Sequence, residues 1–226
     1  MKVLKKCILG VSTLGVALSL AACNDQEGSQ SSNNKGYTLS DILNSKEKHQ
    51  IVVTDDNQSD EEGHVVWAGF VGEGELDGIF LNGMDYDYGY DSLKGQSDKE
   101  FKNNLTEMGK DYDAGDKSTF STSKAESVLT KEGNKSDKAE MVNYHVKFKN
   151  NNNFKYDKNL NSAINNTSFD RTKKNDNSNW TTFYASENSD NPGYQMHIKT
   201  GKSKMQPKME NVEDTIKKYD NAKEEE

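Results

Sequence analysis

Residues 84–92, Met-Asp-Tyr-Asp-Tyr-Gly-Tyr-Asp-Ser, bring three carboxylates and three phenols together in one short run. Asp85, Asp87 and Asp91 alternate with Tyr86, Tyr88 and Tyr90. Carboxylates are hard oxygen ligands of the kind calcium takes. Successive side chains of an extended segment point to opposite faces, which sets the three aspartates on one face and the tyrosines on the other. Like charges on one face repel, and a divalent cation relieves the repulsion. Asp85, Asp87 and Asp91 are therefore the calcium candidates, and the sequence indicates no other cofactor. The competing reading is a solvent-exposed hairpin edge with tyrosines packed inward. An EF-hand loop is excluded. Counted from Asp85, its third ligand position holds Gly89, its glycine position Tyr90 and its twelfth position Gln96. A related acidic run with Asp111, Asp113 and Asp116 reads as a helix-ending turn.

Other reactive patterns are weaker. Gly72-Glu73-Gly74 and Gly78 approach a dinucleotide fingerprint, but the third glycine is one place late and a strand follows. These residues read as hairpin turn chemistry. His49, His64, His145 and His197 form no ligand pair at metal spacing. There is no G-x-S-x-G elbow, no H-E-x-x-H and no S-x-x-K at a strand–helix junction. Tyr86, Tyr88, Tyr90, Trp180, Phe183, Tyr184 and Tyr194 could line a groove for a wall glycan or a peptide. Against that, Trp180 and Phe183 read better as core. The chain is expected not to be an enzyme.

The elements that must position these residues follow from periodicity. Leu39, Ile42 and Leu43 share a helical face, with Thr38 able to cap. Residues 49–55 and 64–71 are β in composition, and 72–75 turn the chain into a hairpin with the segment after them. Ser97 and Glu100 form a capping box before a helix whose Phe101, Leu105 and Met108 make one apolar stripe. Residues 141–150, 179–187 and 193–200 read as strands. Met209, Val212, Ile216 and Tyr219 mark a C-terminal helix with a charged end expected to fray. The fold class is α+β, mostly antiparallel strands with a few short helices. Residues 37–115 form an expected N-terminal α+β subdomain, and 116–226 a strand-rich subdomain ending in the helix.

Location is the clearest message. Lys2, Lys5 and Lys6 precede an apolar run over residues 8–20, too short for a comfortable membrane span but suited to a signal peptide. The run ends in Leu20-Ala21-Ala22-Cys23, which resembles the lipobox of bacterial lipoproteins. The resemblance implies a signal peptide over 1–22, cut before Cys23, and a diacylglycerol (with palmitate-type chains) on the Cys23 thiol. Residues 23–36 then comprise the lipidated cysteine and a Gly/Ser/Asn-rich tether, the thirteen residues after Cys23 spanning roughly 20 Å. Cys7 leaves with the leader, so the mature domain has no thiol for a disulfide, a zinc site or a nucleophile.

Loss of the leader takes the 226-residue chain to 204 residues, with 26 basic against 37 acidic, a net charge near −11. Such a surface argues against nucleic acid and against wide contact with anionic lipid. Arg171 is the only arginine, so bidentate clamps on phosphate are scarce. The Lys- and Asn-rich usage suggests a low-GC, Gram-positive source. The overall pattern resembles small Gram-positive lipoproteins of unknown function and carries over no site residues. The expected role is a binding or interaction module on the extracytoplasmic face of the cell membrane, with a wall or protein ligand. Rivals are a solute-capturing transporter lipoprotein, a wall-directed hydrolase, and an immunity or exclusion lipoprotein.

Overall fold

The computed structural model describes residues 36–55, 63–81, 89–110, 120–131, 142–149, 169–174, 178–185, 193–202 and 205–224. The leader, Cys23, Asp85, Asp87 and the acidic run at 111–116 lie outside the described residues. The chain is α+β, mostly strands in a largely antiparallel sheet with short helices, one of them near the C-terminus.

The chain enters through β1 (Gly36–Tyr37) and α1 (Leu39–Leu43), and β2 (His49–Asp55), β3 (His64–Gly72) and β4 (Glu75–Phe80) then form an antiparallel meander. Helices α2 (Tyr90–Leu93) and α3 (Asp98–Lys110) follow. The strands β5 (Ser121–Lys131), β6 (Val142–Lys149), β7 (Phe169–Lys174), β8 (Trp180–Ala185) and β9 (Gln195–Lys199) come next. Last are β10 (Gln206–Pro207), α4 (Val212–Lys218) and β11 (Ala222–Glu224). The main sheet runs β11-β5-β4-β3-β2-β9-β8-β7, with β6 on the other edge of β5. Strands from both sides of residue 115 thus share one sheet, with β4-β3-β2 as a central block and β2 pairing directly with β9. β6 and β7, though unpaired among the described residues, approach within 8 Å between Cα atoms, so the sheet curls.

Two cores form, one on each face. Leu39, Ile42 and Leu43 of α1 and Val212 of α4 pack on Ile51, Trp67, Phe169 and Phe183. Tyr90 and Leu93 of α2 and Phe101, Leu105 and Met108 of α3 pack on Val52, Phe70, Ile79 and Trp180. Each such large apolar side chain contributes about 1.5–3 kcal/mol when fully buried. The expected caps are present. Thr38 and Asp41 close a reciprocal box on α1, and Ser97 and Glu100 do the same for α3.

The hairpin at 72–75 turns through Glu73 and Gly74, both left-handed at φ 58° and 70°. That pair of angles matches the twist of the flanking strands. Gly69 and Gly78 face each other across β3 and β4, and the Trp67 indole lies over Gly78. Four strands carry no recognisable pattern in the sequence besides β11: β1, β5, β7 and β10. The charged C-terminal end does not fray through residue 224. It forms β11, which runs parallel to β5 with Ala222 opposite Ser127.

Candidate functional site

A polar groove of about 700 Å³ opens where three elements meet. They are the β3–β4 turn, the middle of β5 and the α4–β11 connection. The size falls in the ~300–1,000 Å³ range of ligand clefts. The floor is backbone that has already found its partners. Glu73 and Gly74 donate their N–H groups to the carbonyls of Ser45 and Leu43 at 2.7 and 2.8 Å, so the turn caps the C-terminal end of α1. Gly74 accepts from Ala125 N–H at 2.9 Å, and Asn221 accepts from Ser127 N–H at 2.9 Å. Asn44 and Asn221 each commit one side-chain N–H, to the carbonyls of Ser40 and Ala125 respectively, each at 3.0 Å.

The walls are side chains. Lys218 and Tyr219 both donate to Asp41 Oδ1, at 2.7 and 2.6 Å, while Thr38 N–H binds the other oxygen at 2.9 Å. Burial pushes the Asp41 carboxyl up, but these bonds and the Lys218 charge outweigh it and hold it below the usual carboxylate range. Burial lowers Lys218, yet its bonds to Asp41 and Tyr219 raise it above an ordinary lysine. Glu126 pairs with Lys223 at 2.9 Å, and Glu75 meets Lys48 only at 4.0 Å. Among the described residues Glu73, Asp220 and Lys124 have no ion-pair partner. Acceptors outnumber donors in what remains.

Of the residues singled out in the sequence, the described ones fall into different settings, and Tyr90, Trp180 and His197 among them are brought into ring contact. Asp91 is in the first turn of α2, its carboxylate 2.9 Å from Lys94 Nζ, rather than on the extended face inferred from alternation. A helical turn there removes the period-two geometry that would group it with Asp85 and Asp87. Tyr90 packs inward, parallel to the His197 ring and edge-on to Trp180. Trp180 and Phe183 are core, and Tyr184 and Tyr194 are half-buried. His49 and His197 are buried, and both are held below the usual imidazole range chiefly by that burial. Among the described residues no group of three His, Cys, Asp or Glu is set to hold a metal ion, and no helix is long and apolar enough to cross a membrane.

A second polar cluster is closed to solvent. Tyr37, Thr181 and Thr200 share their hydroxyls in a ring, and Lys174 donates to Thr200 Oγ1 and to the Gly201 carbonyl at 3.4 and 2.9 Å. Burial holds Lys174 below an ordinary lysine. This cluster fastens β1, through Tyr37, to β7, β8 and the residues after β9. The groove residues carry no motif in the sequence, because the parallel pairing of β11 with β5 that gathers them has no local signal. No family model, no curated protein and no solved structure matches the chain.

Proposed function

We propose that the protein is a binding module, not an enzyme, held on the extracytoplasmic face of the cell membrane by a lipid on Cys23. In this reading the groove is where it takes a polar ligand. The groove carries the proposal: a concavity of about 700 Å³ whose side chains retain unspent hydrogen-bonding groups. Its position supports the same reading. The tether enters at Gly36, beside Gln206, before α1 begins. The groove gathers at the other end of that helix, around Asn44 and Gly74. The groove is thus not lined by the residues through which the chain enters the domain. The acidic balance of the mature chain leaves attachment to the lipid.

The test is metabolic labelling with an alkyne analogue of palmitate in a Gram-positive host. The full chain is expected to take up label and sediment with membranes. Cys23→Ser should take up none and leave the membrane fraction. Unlabelled wild-type chain, or label retained by the variant, would overturn the anchoring half. The ligand half stands or falls with mapping of bound ligand to the groove.

A further inference from the structure

We infer that the groove takes an amino-sugar glycan, neutral or cationic; this rests on the groove being the binding site. Strand addition to a free sheet edge and apolar anchors in pockets are two common modes of peptide recognition. The groove offers neither. Among the backbone groups that border it, Gly74 N–H is bonded to the Leu43 carbonyl, Ala125 N–H to the Gly74 carbonyl, and the Ala125 carbonyl to the Asn221 amide. Its lining holds one aromatic ring, Tyr219, whose hydroxyl is tied to Asp41.

What remains is a set of side chains rich in acceptors. The carboxylates of Glu73 and Asp220 lack ion-pair partners among the described residues, and the amide nitrogens of Asn44 and Asn221 have each committed one of their two N–H groups. Among the described residues Lys124 is the one ammonium of the lining without a partner. A carboxylate accepts two hydrogen bonds side by side, which suits neighbouring hydroxyls on a sugar ring. The surplus of acceptors over donors favours a ligand with N–H groups besides its hydroxyls. Four carboxylates against two ammonium groups in the lining disfavour an anionic glycan.

The experiment uses membrane vesicles bearing the full chain. Photo-crosslinkable, fluorescent probes are added: a glucosamine tetramer, its N-acetylated form, a galacturonic acid tetramer and tetralysine. Both amino-sugar probes are expected to be retained and to crosslink within residues 73–75, 124–126 or 218–221. The galacturonate probe should be retained at least tenfold less. Glu73→Gln with Asp220→Asn should lower retention of the glucosamine probe at least tenfold. Lys124→Glu should raise it, which keeps the test decisive if the double variant is poorly folded. Galacturonate retained as well as glucosamine, or variants without effect, overturns the ligand class. Tetralysine alone crosslinking in the groove overturns the class but keeps the site. No probe retained also overturns the class. Amino-sugar probes crosslinking only outside those segments overturn the groove reading itself.

Discussion

The Tyr90 and His197 rings stack with centroids 3.9 Å apart and planes 14° from parallel. The contact ties α2 to the β9 strand and seals His197 between the hydroxyls of Thr54 and Thr182, at 3.2 and 3.0 Å. Each hydroxyl can donate or accept, so the neutral ring is fully satisfied here, one nitrogen donating and the other accepting in either tautomer. Burial is the main cause, and the Lys94 charge a second, of a histidine pKa pushed down to about 3.

Stability is therefore expected to fall on acidification. An unfolded histidine titrates near ~6.5. Between that value and about 3 the unfolded chain binds a proton that the folded chain does not. Stability then drops by about 1.4 kcal/mol per pH unit well below pH ~6.5, or about 2 kcal/mol by pH ~5. His49, also depressed by burial, adds in the same direction. Urea unfolding from pH ~7.5 to ~5 checks this. His197→Gln should be less stable at the upper pH but show a shallower slope. Equal slopes in both chains would remove His197 as the cause.

Trp67 and Gly78 give a steric prediction. A Cβ on Gly78 would lie 1.7 Å from Trp67 Cζ2, in a rigid ring buried against the sheet. Gly78→Ala should cost about 3 kcal/mol or more, as overpacking does. For a chain of this length that is a melting temperature lower by roughly 6–12 °C. Gly95→Ala is the control, because a Cβ there meets nothing within 4 Å. A small effect at Gly78 would mean the indole can move aside.

Elements whose residues speak locally were legible. The α3 stripe and its Ser97–Glu100 box could be read because helix period and cap lie within a few residues of one another. The β3–β4 hairpin could be read because Gly72 and Gly74 bracket it. β5 could not. Its Ser-Thr-Ser-Lys-Ala-Glu run has no β-rich composition, and its place in the sheet is set by β4, β6 and β11 together. β7, with Arg171 and three further polar or charged residues after it, was silent for the same reason. The groove inherits that silence. Asn44, Lys124 and Asp220 meet only after strands distant in sequence have paired.

Tyr37 closes β1 just before α1, and its hydroxyl contacts Thr181 and Thr200. Tyr37→Phe should cost only about 1 kcal/mol, since one hydrogen bond is near that net value. The two threonines remain bonded to each other at 2.8 Å. Tyr37→Ala removes the ring from the core as well and should cost about 3–5 kcal/mol. Limited proteolysis should then cut on the N-terminal side of α1 faster than in wild type. Thermal unfolding of the pair checks the ranking; a Tyr37→Phe loss as large as the alanine loss would show that the hydroxyl, not the ring, holds this segment in place.

The last prediction concerns calcium. Strict alternation would set Asp91 on one face with Asp85 and Asp87. In the fold it sits in a helical turn with Lys94 Nζ 2.9 Å away. A cation would have to compete with an ammonium already there. The expected result is one melting temperature in calcium, magnesium and EDTA. A bound ligand at 100 times its dissociation constant would instead stabilise by about 2.7 kcal/mol. That would appear as a rise of roughly 5–11 °C. A rise of that size, specific to calcium and lost in Asp85→Asn with Asp87→Asn, would make the loop a metal site. Lys94→Ala separates the two outcomes further. If Asp91 is a ligand restrained by its lysine, the variant should strengthen the calcium response. If Asp91 is only a paired surface charge, the variant should change stability by no more than about 0.5 kcal/mol, whatever ion is present.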